Sequence, residues 1–476
     1  MRKDSSLIRI LRNAALMLTL STAGSAYAAN WLMLQGVEPT AASSRAEVWG
    51  FIQAQYERDF STPNTSVPNT YGTFIPPKLI APTFDSQSGF NIQRARIGAR
   101  GANFPLDSNV NYFLLFEVGN NAITAGSPAG FKTTDASVTL NHIPGARVRL
   151  GLFKTPGSEE PLQAIHVFDY VSFSEPVNSL LLERFPNRNN IGNIGPQNQE
   201  QLRGGVSLNR YNSPVGAFRD TGVQVFDAFD VGDNFELSYA AMIGQGSGLE
   251  YSDYDGKQDK YAYMSFEKKL GGSGPKAEGL KFFAWGQWGT RLLDTNNAAP
   301  STTTTSVPVT PANPTGTLVV TNLGVNQKFF DRNRSGLGVK YRHNQFRATA
   351  EYIAADGMIF VGPSNPDLVV GGFSGADARA RGWYMEGGWF IPNSKYELDL
   401  RYDTVASLVG TISEQTFAKW TLGTQYHFNP KTRLMLNYEI RNFQCTGDTT
   451  TAGCYNANTN LDGVGNRVSM QMTMIF

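Results

Sequence analysis

The sequence predicts an all-β protein: a transmembrane antiparallel β-barrel of sixteen strands with an in-folded third extracellular loop. Three observations favour this fold. Apolar and polar residues alternate with period two, the alternating segments are nine or more residues long, and the last such segment ends in an aromatic residue, Phe476.

Composition limits the possible classes of protein. The 476 residues include 41 basic and 40 acidic side chains, and only 17% of residues are charged. This balance lacks the basic excess of a nucleic-acid-binding protein. Two cysteines exclude a disulfide-rich scaffold or a cysteine-rich zinc module. The body of the chain has no apolar run of about 18 residues, so membrane-spanning helices are not expected.

The first 28 residues have the pattern of a secretory signal peptide. Four basic residues precede an apolar run at 14–20, and Ala26-Tyr27-Ala28 fits the small-x-small cleavage rule. A short N-terminal helix is the alternative. Cleavage after Ala28 would leave 37 basic and 39 acidic residues, a net charge of −2. We expect 29–44 to be a short periplasmic segment and 45–476 to form the barrel.

The alternation is clearest in the C-terminal third. In the segment Lys395–Asp403 the apolar residues occupy every second position, and the charged residues occupy the positions between them. The segments 419–428 and 433–441 repeat this pattern. A helix would space its apolar residues three and four apart, so strict alternation indicates strands with one apolar and one polar face.

Segment length and aromatic placement favour a membrane over water as the surroundings of the apolar face. Strands of soluble sandwiches average about five or six residues, whereas a tilted strand needs about nine to eleven to cross a bilayer. Aromatic residues stand at the ends of the apolar rows, as in interfacial girdles. These pairs are Tyr396 and Tyr402, Trp420 and Phe428, and Trp383 and Trp389. Strands can span lipid only in a closed barrel; a soluble all-β protein remains the alternative.

The strand count follows from the spacing of the connections. Short links are predicted at 429–430, 392–393, 343–344, 270–278, 231–232, 144–145 and 102–108. Long links are predicted at 443–464, 405–415, 355–378, 291–333, 244–258, 155–218, 121–132 and 59–87. Seven turns and eight loops give sixteen strands, with the turns periplasmic and the loops extracellular. The strand-like segment 203–211 is assigned to the third loop, 155–218, because a further spanning strand would leave a very long periplasmic loop.

Several short sequence motifs resemble those of a known family. Gln93-Arg94-Ala95-Arg96-Ile97-Gly98 is similar to the Arg-x-Arg-x-Gly strand of the phosphate-selective porin O/P family. The segment 149–159 resembles its Gly-x-Phe-Lys-x-Pro-Phe-Ser-x-Glu signature, with Gly157 where the signature has Phe. The resemblance implies a sixteen-stranded, usually trimeric pore whose third loop folds inward as a constriction, with wall arginines and constriction lysines conducting phosphate or other anions. The constriction lysines have no counterparts that can be placed here. The C-terminal strand 467–476 resembles the signal that the bacterial barrel-assembly machinery reads, with Phe476 as its final residue.

The predicted site residues are basic. On two strands in the N-terminal part of the predicted barrel, the arginines occupy the alternate positions that form the polar face. An arginine that faced lipid instead would cost about 2–4 kcal/mol. We therefore expect these side chains to line the lumen, where guanidinium groups can bind oxyanions. They are Arg94, Arg96, Arg100, Arg147 and Arg149, with Lys154 next to the third loop. Candidates within that loop are Arg184, Arg188 and Arg203. The alternative is that these arginines pair structurally with lumen-facing acids.

Enzyme activity, cofactors and metal sites are not expected. The four histidines, His142, His166, His343 and His427, are not accompanied by a recognisable nucleophile motif. Cys445 and Cys454 fall in one predicted extracellular loop, and in an exported chain such a pair is most simply a disulfide.

The predicted function is passive diffusion of small hydrophilic solutes through an outer-membrane channel that favours phosphate-like or other inorganic anions. A non-selective or cation-preferring porin is one alternative, and a surface adhesin or structural barrel with a plugged lumen is another. The predicted partners are small anions, outer-membrane lipid, lipopolysaccharide, the barrel-assembly machinery and two further copies of the chain. Nucleic acid is not expected.

Overall fold

A computed structural model shows a closed antiparallel barrel of sixteen strands, which confirms the predicted barrel and its strand count. The structure describes residues 30–33, 46–62, 88–102, 107–121, 123–124, 130–182, 216–249, 253, 256–272, 277–295, 301–306, 317–322, 326–359 and 377–476. The predicted signal peptide and the segment 203–211 lie outside these residues. No helix in the described ranges is both long and apolar enough to cross a membrane.

The strands follow one another around the barrel in chain order. They are β1 (Glu47–Asp59), β2 (Ser88–Ala102), β3 (Val110–Glu117), β4 (Lys132–Leu140), β5 (Arg147–Lys154), β6 (Arg219–Val231), β7 (Phe235–Gly244), β8 (Asp259–Gly271), β9 (Glu278–Thr295), β10 (Ser301–Ser306), β11 (Thr317–Asn322), β12 (Asn326–His343), β13 (Phe346–Asp356), β14 (Arg379–Phe390), β15 (Tyr396–Ser407), β16 (Gln415–Asn429), β17 (Thr432–Cys445) and β18 (Arg467–Ile475). Among the described strands, β10 and β11 pair with each other alone and lie within the predicted loop 291–333. The short helical segments are Glu159–Leu162, Ile165–Val167, Val177–Leu181 and Ala452–Leu461.

The barrel closes where its first and last strands meet. β1 pairs with β18 in a register that runs from Phe51 opposite Ile475 to Asp59 opposite Arg467. The backbone of Phe476 adds two hydrogen bonds to Gly50, of 3.0 and 3.3 Å. Closure leaves no unpaired strand edge, which is the condition for strands to lie in lipid.

The two faces of the wall differ as the alternation predicts. On β15, Leu398 and Leu400 are 45% and 47% exposed, whereas Asp399 and Arg401 between them are 6% and 0% exposed. Exposed aromatic rings, including those of Trp383, Trp420 and Tyr396, lie on the outer face, as predicted for interfacial aromatic girdles. An apolar exterior around a closed barrel places the protein in an outer membrane.

Connections at one end of the barrel are short. Asn344 and Asn393 take positive φ values of 52° and 56° in two of these turns. Asparagine adopts this left-handed backbone more readily than most residues. Lys154 and Arg219, the strand ends on either side of the connection 155–218, pair with each other at the opposite end.

Part of the predicted periplasmic segment 29–44 differs from expectation. Of this segment the structure describes Asn30–Met33, and these residues lie among lumen-facing side chains of the barrel wall. Trp31 and Leu32 are each only 3% exposed, so burial of their apolar surface favours this position over the aqueous periplasm.

Candidate functional site

The lumen-facing arginines predicted on β2 and β5 fall into two groups by exposure. Arg94, Arg96 and Arg149 are buried in the interior of the barrel. Arg100 and Arg147 lie nearer the short turns, with side chains 32% and 31% exposed. Three of the five predicted arginines are therefore buried and two are partly exposed.

Three of these arginines pair with carboxylates. Arg96 Nε donates to Glu117 Oε2 at 2.7 Å. Arg147 Nε lies 3.3 Å from Asp227 Oδ1, and Arg100 Nε lies 3.3 Å from Glu47 Oε2. These contacts match the structural pairing that the sequence left open as the alternative.

Arg94 and Arg149 have different surroundings. Arg94 donates through Nη1 to Gln53 Oε1 at 2.9 Å, while its buried Nε has no acceptor among the described residues. The guanidinium carbon of Arg149 lies 4.4 Å from the ring centroid of Phe226, a cation–π contact. Its Nε donates to Thr139 Oγ1 at 3.3 Å.

Lys154, at the end of β5, binds the loop that follows it. Its ammonium group donates to the carbonyl oxygens of Pro161, Leu162 and Gln163 at 2.8, 3.3 and 2.7 Å. Three carbonyl acceptors satisfy a buried ammonium without a carboxylate. Lys154 thus holds the start of the third loop in place.

The first half of that loop contacts neighbouring wall strands β9 and β12 through Glu159. Lys281 Nζ lies 2.6 Å and Lys340 Nζ 3.2 Å from Glu159 Oε1. Burial alone would raise the pKa of Glu159, but the two ammonium groups outweigh it and the pKa is lowered. Glu159 therefore remains a carboxylate in this position.

Glu351 on β13 adds a second attachment. It accepts hydrogen bonds from Ser158 Oγ at 2.9 Å, Trp285 Nε1 at 2.7 Å and Tyr384 OH at 2.7 Å. One wall carboxylate thus joins the loop to side chains of β9 and β14.

Further along, the loop contacts strands on another side of the barrel. Glu160 Oε1 lies 3.2 Å from Arg401 Nη1 on β15, and burial raises the pKa of Glu160 to about 7. The backbone nitrogen of Glu175 donates to Asp403 Oδ1 at 2.9 Å. The Glu175 carboxylate lies 3.1 Å from Lys419 Nζ on β16.

Asp169 and its neighbours contact wall arginines. Arg347 lies 3.3 Å from Asp169 and also pairs with Glu397 and Asp399. Arg433 on β17 lies 3.7 Å from Asp169 and donates to the carbonyl oxygen of Phe168. Together, residues 158–182 contact lumen-facing side chains on β1, β9, β12, β13, β15, β16 and β17.

His166 lies between this loop and β1. Its ring centroid is 5.1 Å from that of Phe51 and 5.7 Å from that of Trp49. Burial, followed by the nearby charges of Arg433 and Lys154, lowers the pKa of His166 to about 3. The imidazole is therefore neutral at physiological pH.

Two cavities lie on opposite sides of the loop. The one near the long connections has a volume of about 30 Å³, and the loop contributes Ser158, Pro161 and Leu181 to its lining. The one near the short turns has a volume of about 70 Å³, and the loop contributes Gln163, His166 and Asp169.

Several interior residues were not identified from the sequence. Strand parity could assign Lys281, Lys340, Arg401 and Lys419 to the lumen, but it gives no information on which loop residue each one contacts. Glu159 is the last residue of the segment 149–159 that resembles the family signature. Arg184, Arg188 and Arg203 lie outside the described residues.

The predicted disulfide is present in the structure. Cys445 at the end of β17 is bonded to Cys454 in the helix Ala452–Leu461, with the two Cα atoms 5.5 Å apart. Within the described ranges, no group of three or more His, Cys, Asp and Glu side chains is arranged to hold a metal ion.

Comparisons with known proteins give likeness to solved structures only. No family model and no curated protein matches the chain. The outer membrane channel DcaP of Acinetobacter baumannii is 13% identical, with a TM-score of 0.46 over 93% of this chain and 100% of that one. Salmonella typhi OmpF, in complex with daunomycin, is 11% identical, with a TM-score of 0.48 over 90% and 97% of the two chains. OmpT of Vibrio cholerae, an outer membrane protein, is 10% identical, with a TM-score of 0.46 over 90% and 97%.

Proposed function

We propose that the protein is an outer-membrane channel through which small hydrophilic solutes diffuse passively. The observation that carries the proposal is the course of residues 158–182. This loop segment is bonded to lumen-facing side chains of strands far apart around the barrel, and a cavity lies on each side of it. We infer that it folds inward and forms the constriction of the channel.

The constriction is held by buried charge pairs as well as apolar packing. Leu162, Phe168 and Leu180 of the loop belong to the same buried apolar cluster as the wall residues Phe283 and Phe417. A segment attached in this way stays in one position while solute passes, so it sets a defined size limit. No bond is made or broken in the solute. Passage requires only that polar groups of the wall replace part of the hydration shell of the solute, and that they bind the solute weakly enough to release it.

We further propose that the channel prefers small inorganic anions. The described lining of the cavity near the long connections includes the guanidinium groups of Arg219, Arg291 and Arg332 and no carboxylate residue. Deeper in the lumen, Arg94 has an unsatisfied Nε. Such donors can bind an oxyanion through charge-assisted hydrogen bonds. The net charge of the predicted mature chain is −2, so the preference would depend on where the arginines lie.

The test is ion selectivity in a planar bilayer. Under a potassium chloride gradient we expect a reversal potential of anion-selective sign and a reduction of the chloride current by added phosphate. Arg94→Ala combined with Arg96→Ala should weaken the reduction of the chloride current by phosphate about tenfold. This corresponds to the loss of roughly one charge-assisted hydrogen bond. Arg379→Ala is the matched control, because that side chain is 70% exposed at the start of β14.

The other outcomes separate the alternatives. A cation-selective reversal potential would contradict the anion preference and favour a cation-preferring porin, which the buried acids Asp399, Asp403 and Glu439 could support. Unselective conductance would indicate a general porin. Absence of conductance in correctly folded protein would contradict the channel and favour an adhesin or structural barrel.

Assembly partners also belong to the proposal. The apolar exterior would contact membrane lipid and lipopolysaccharide, Phe476 would be read by the barrel-assembly machinery, and the mature chain would begin after Ala28. A homotrimer is proposed from the family resemblance of the sequence. Chemical cross-linking in native outer membranes tests it, and a monomer-only pattern would contradict it.

A further inference from the structure

The first described residues, Asn30–Met33, occupy an unexpected place inside the barrel. They contact β7 and β12, which lie six and seven strands from β1 in the closed ring of sixteen. Eight strands is the greatest separation that such a ring allows. The first described residues therefore lie near the side of the barrel opposite β1, the strand that begins at Glu47.

Polar contacts attach this N-terminal segment to β7. Asn30 Nδ2 donates to Glu236 Oε1 at 2.7 Å and to Ser238 Oγ at 2.6 Å. The backbone then turns, with Met33 N donating to the Asn30 carbonyl oxygen at 3.0 Å. Asn30 and both of its partners are buried.

Trp31 connects the N-terminal segment to the loop that we propose as the constriction. The Lys340 ammonium lies 5.6 Å from the Trp31 ring centroid, and the same ammonium lies 3.2 Å from Glu159 of the loop. Trp31 and Leu32 also belong to the apolar cluster against which Ile165 and Val167 pack. The segment is thus packed against the loop as well as against the wall.

Trp31 further forms part of the wall of the cavity near the short turns, together with His166 and Asp169 of the loop. We propose that Asn30–Met33 is an intraluminal plug element that narrows the channel on the short-turn side of the loop. The plugging role rests on the proposed channel function, whereas the docked position of the segment does not. With the predicted cleavage after Ala28, Asn30 would be the second residue of the mature chain.

Docking is tested by a cysteine pair in the full-length protein in its membrane. Asn30→Cys with Ser238→Cys should form a disulfide under mild oxidation, detected as a linked peptide by mass spectrometry. The control pair is Asn30→Cys with Ser469→Cys, since Ser469 is an equally buried serine on β18, beside β1. The native cysteines are already bonded to each other. Equal linking in both pairs, or none in the first, would overturn the docked position.

Restriction of passage is tested by Trp31→Ala in single-channel recordings. We expect conductance to rise about twofold, because removing the ring widens the path that ions must follow. Trp420→Ala is the matched control, since that indole is on the outer face and 46% exposed. Unchanged conductance with the cross-link formed would overturn the plug while leaving the docking intact. If neither the wild type nor any variant conducts, the proposed channel fails and the plugging role with it, and the cross-link still reports the position of the segment.

Discussion

At the scale of single residues, the interior of the barrel shows how individual buried charges are satisfied by particular partners. Arg96 has Glu117, and Lys154 has three carbonyl oxygens of the loop. A charge buried without such partners would cost several kcal/mol. The geometry shows that basic side chains such as Arg96 and Lys154 hold structure.

His166 provides a prediction about pH. Its pKa is about 3 in the docked loop, against about 6.5 for a free imidazole. Between these values a released loop binds a proton that the docked loop does not, so docking is fully favoured above about pH 6.5 and weakens as the pH falls. We expect open-channel current fluctuations to increase between about pH 7 and about pH 4.

The control for this prediction is His166→Gln, which cannot take up the proton. Glu160 lies in the same loop with its pKa raised to about 7, so its titration acts in the opposite direction. The difference between wild type and variant isolates the imidazole. Fluctuations with the same pH dependence in both proteins would contradict the assignment.

At the scale of elements, the long connections differ in what they contact. Residues 158–182 are bonded to lumen-facing side chains of seven strands, whereas the helix Ala452–Leu461 packs mainly on β17 and is joined to it by Cys445–Cys454. The described part of the first connection contacts the inner wall of the barrel. The second is a local structure at the rim.

The disulfide can therefore be removed without loss of the barrel. Closing a ten-residue loop contributes about 2.7 kcal/mol in the chain-entropy model. In Cys445→Ser with Cys454→Ser we expect faster proteolysis within 446–466, and an unchanged shift in electrophoretic mobility on heating, which reports the folded barrel. Reduced wild type serves as the control and should resemble the variant. A variant that no longer shows the mobility shift would mean that the disulfide supports the barrel itself.

At the scale of the whole molecule, closure depends on the contact between β1 and the C-terminus. A Cβ added at Gly50 would lie 2.4 Å from the Phe476 ring and 2.4 Å from the Arg96 carbonyl oxygen. Since the second of these atoms belongs to the backbone of β2, the strand itself would have to shift. The last residue of the chain is thus packed into the seam as well as exposed to lipid.

Gly50→Ala should reduce the folded fraction of the protein, with a cost of about 1–3 kcal/mol for overpacking. The fraction is measured from heat-dependent electrophoretic mobility after refolding in detergent. Gly387→Ala is the matched control on β14, because its added Cβ would meet only the Arg347 carbonyl oxygen, at 3.6 Å. Equal folded fractions in the two variants would show that the seam tolerates the methyl group.

The sequence by itself determined the barrel. The number of strands and the face on which each residue lies follow from local sequence patterns. Successive side chains of a strand point to opposite faces, and one of these faces must meet lipid. Leu398 and Asp399 could therefore be assigned to opposite faces, and the connections could be located to within a few residues. The cysteine pair could be identified for the same reason, since its signal lies in a short stretch of chain.

Only the tertiary structure decided what fills the lumen. The contact of Glu159 with Lys281 and Lys340, and that of Asn30 with Glu236, join residues more than a hundred positions apart. Alternation shows that a residue points inward but carries no information about its partner across the barrel. Those partners are set by the course of the third loop and of the N-terminal segment, which depends on burial and charge pairing in three dimensions.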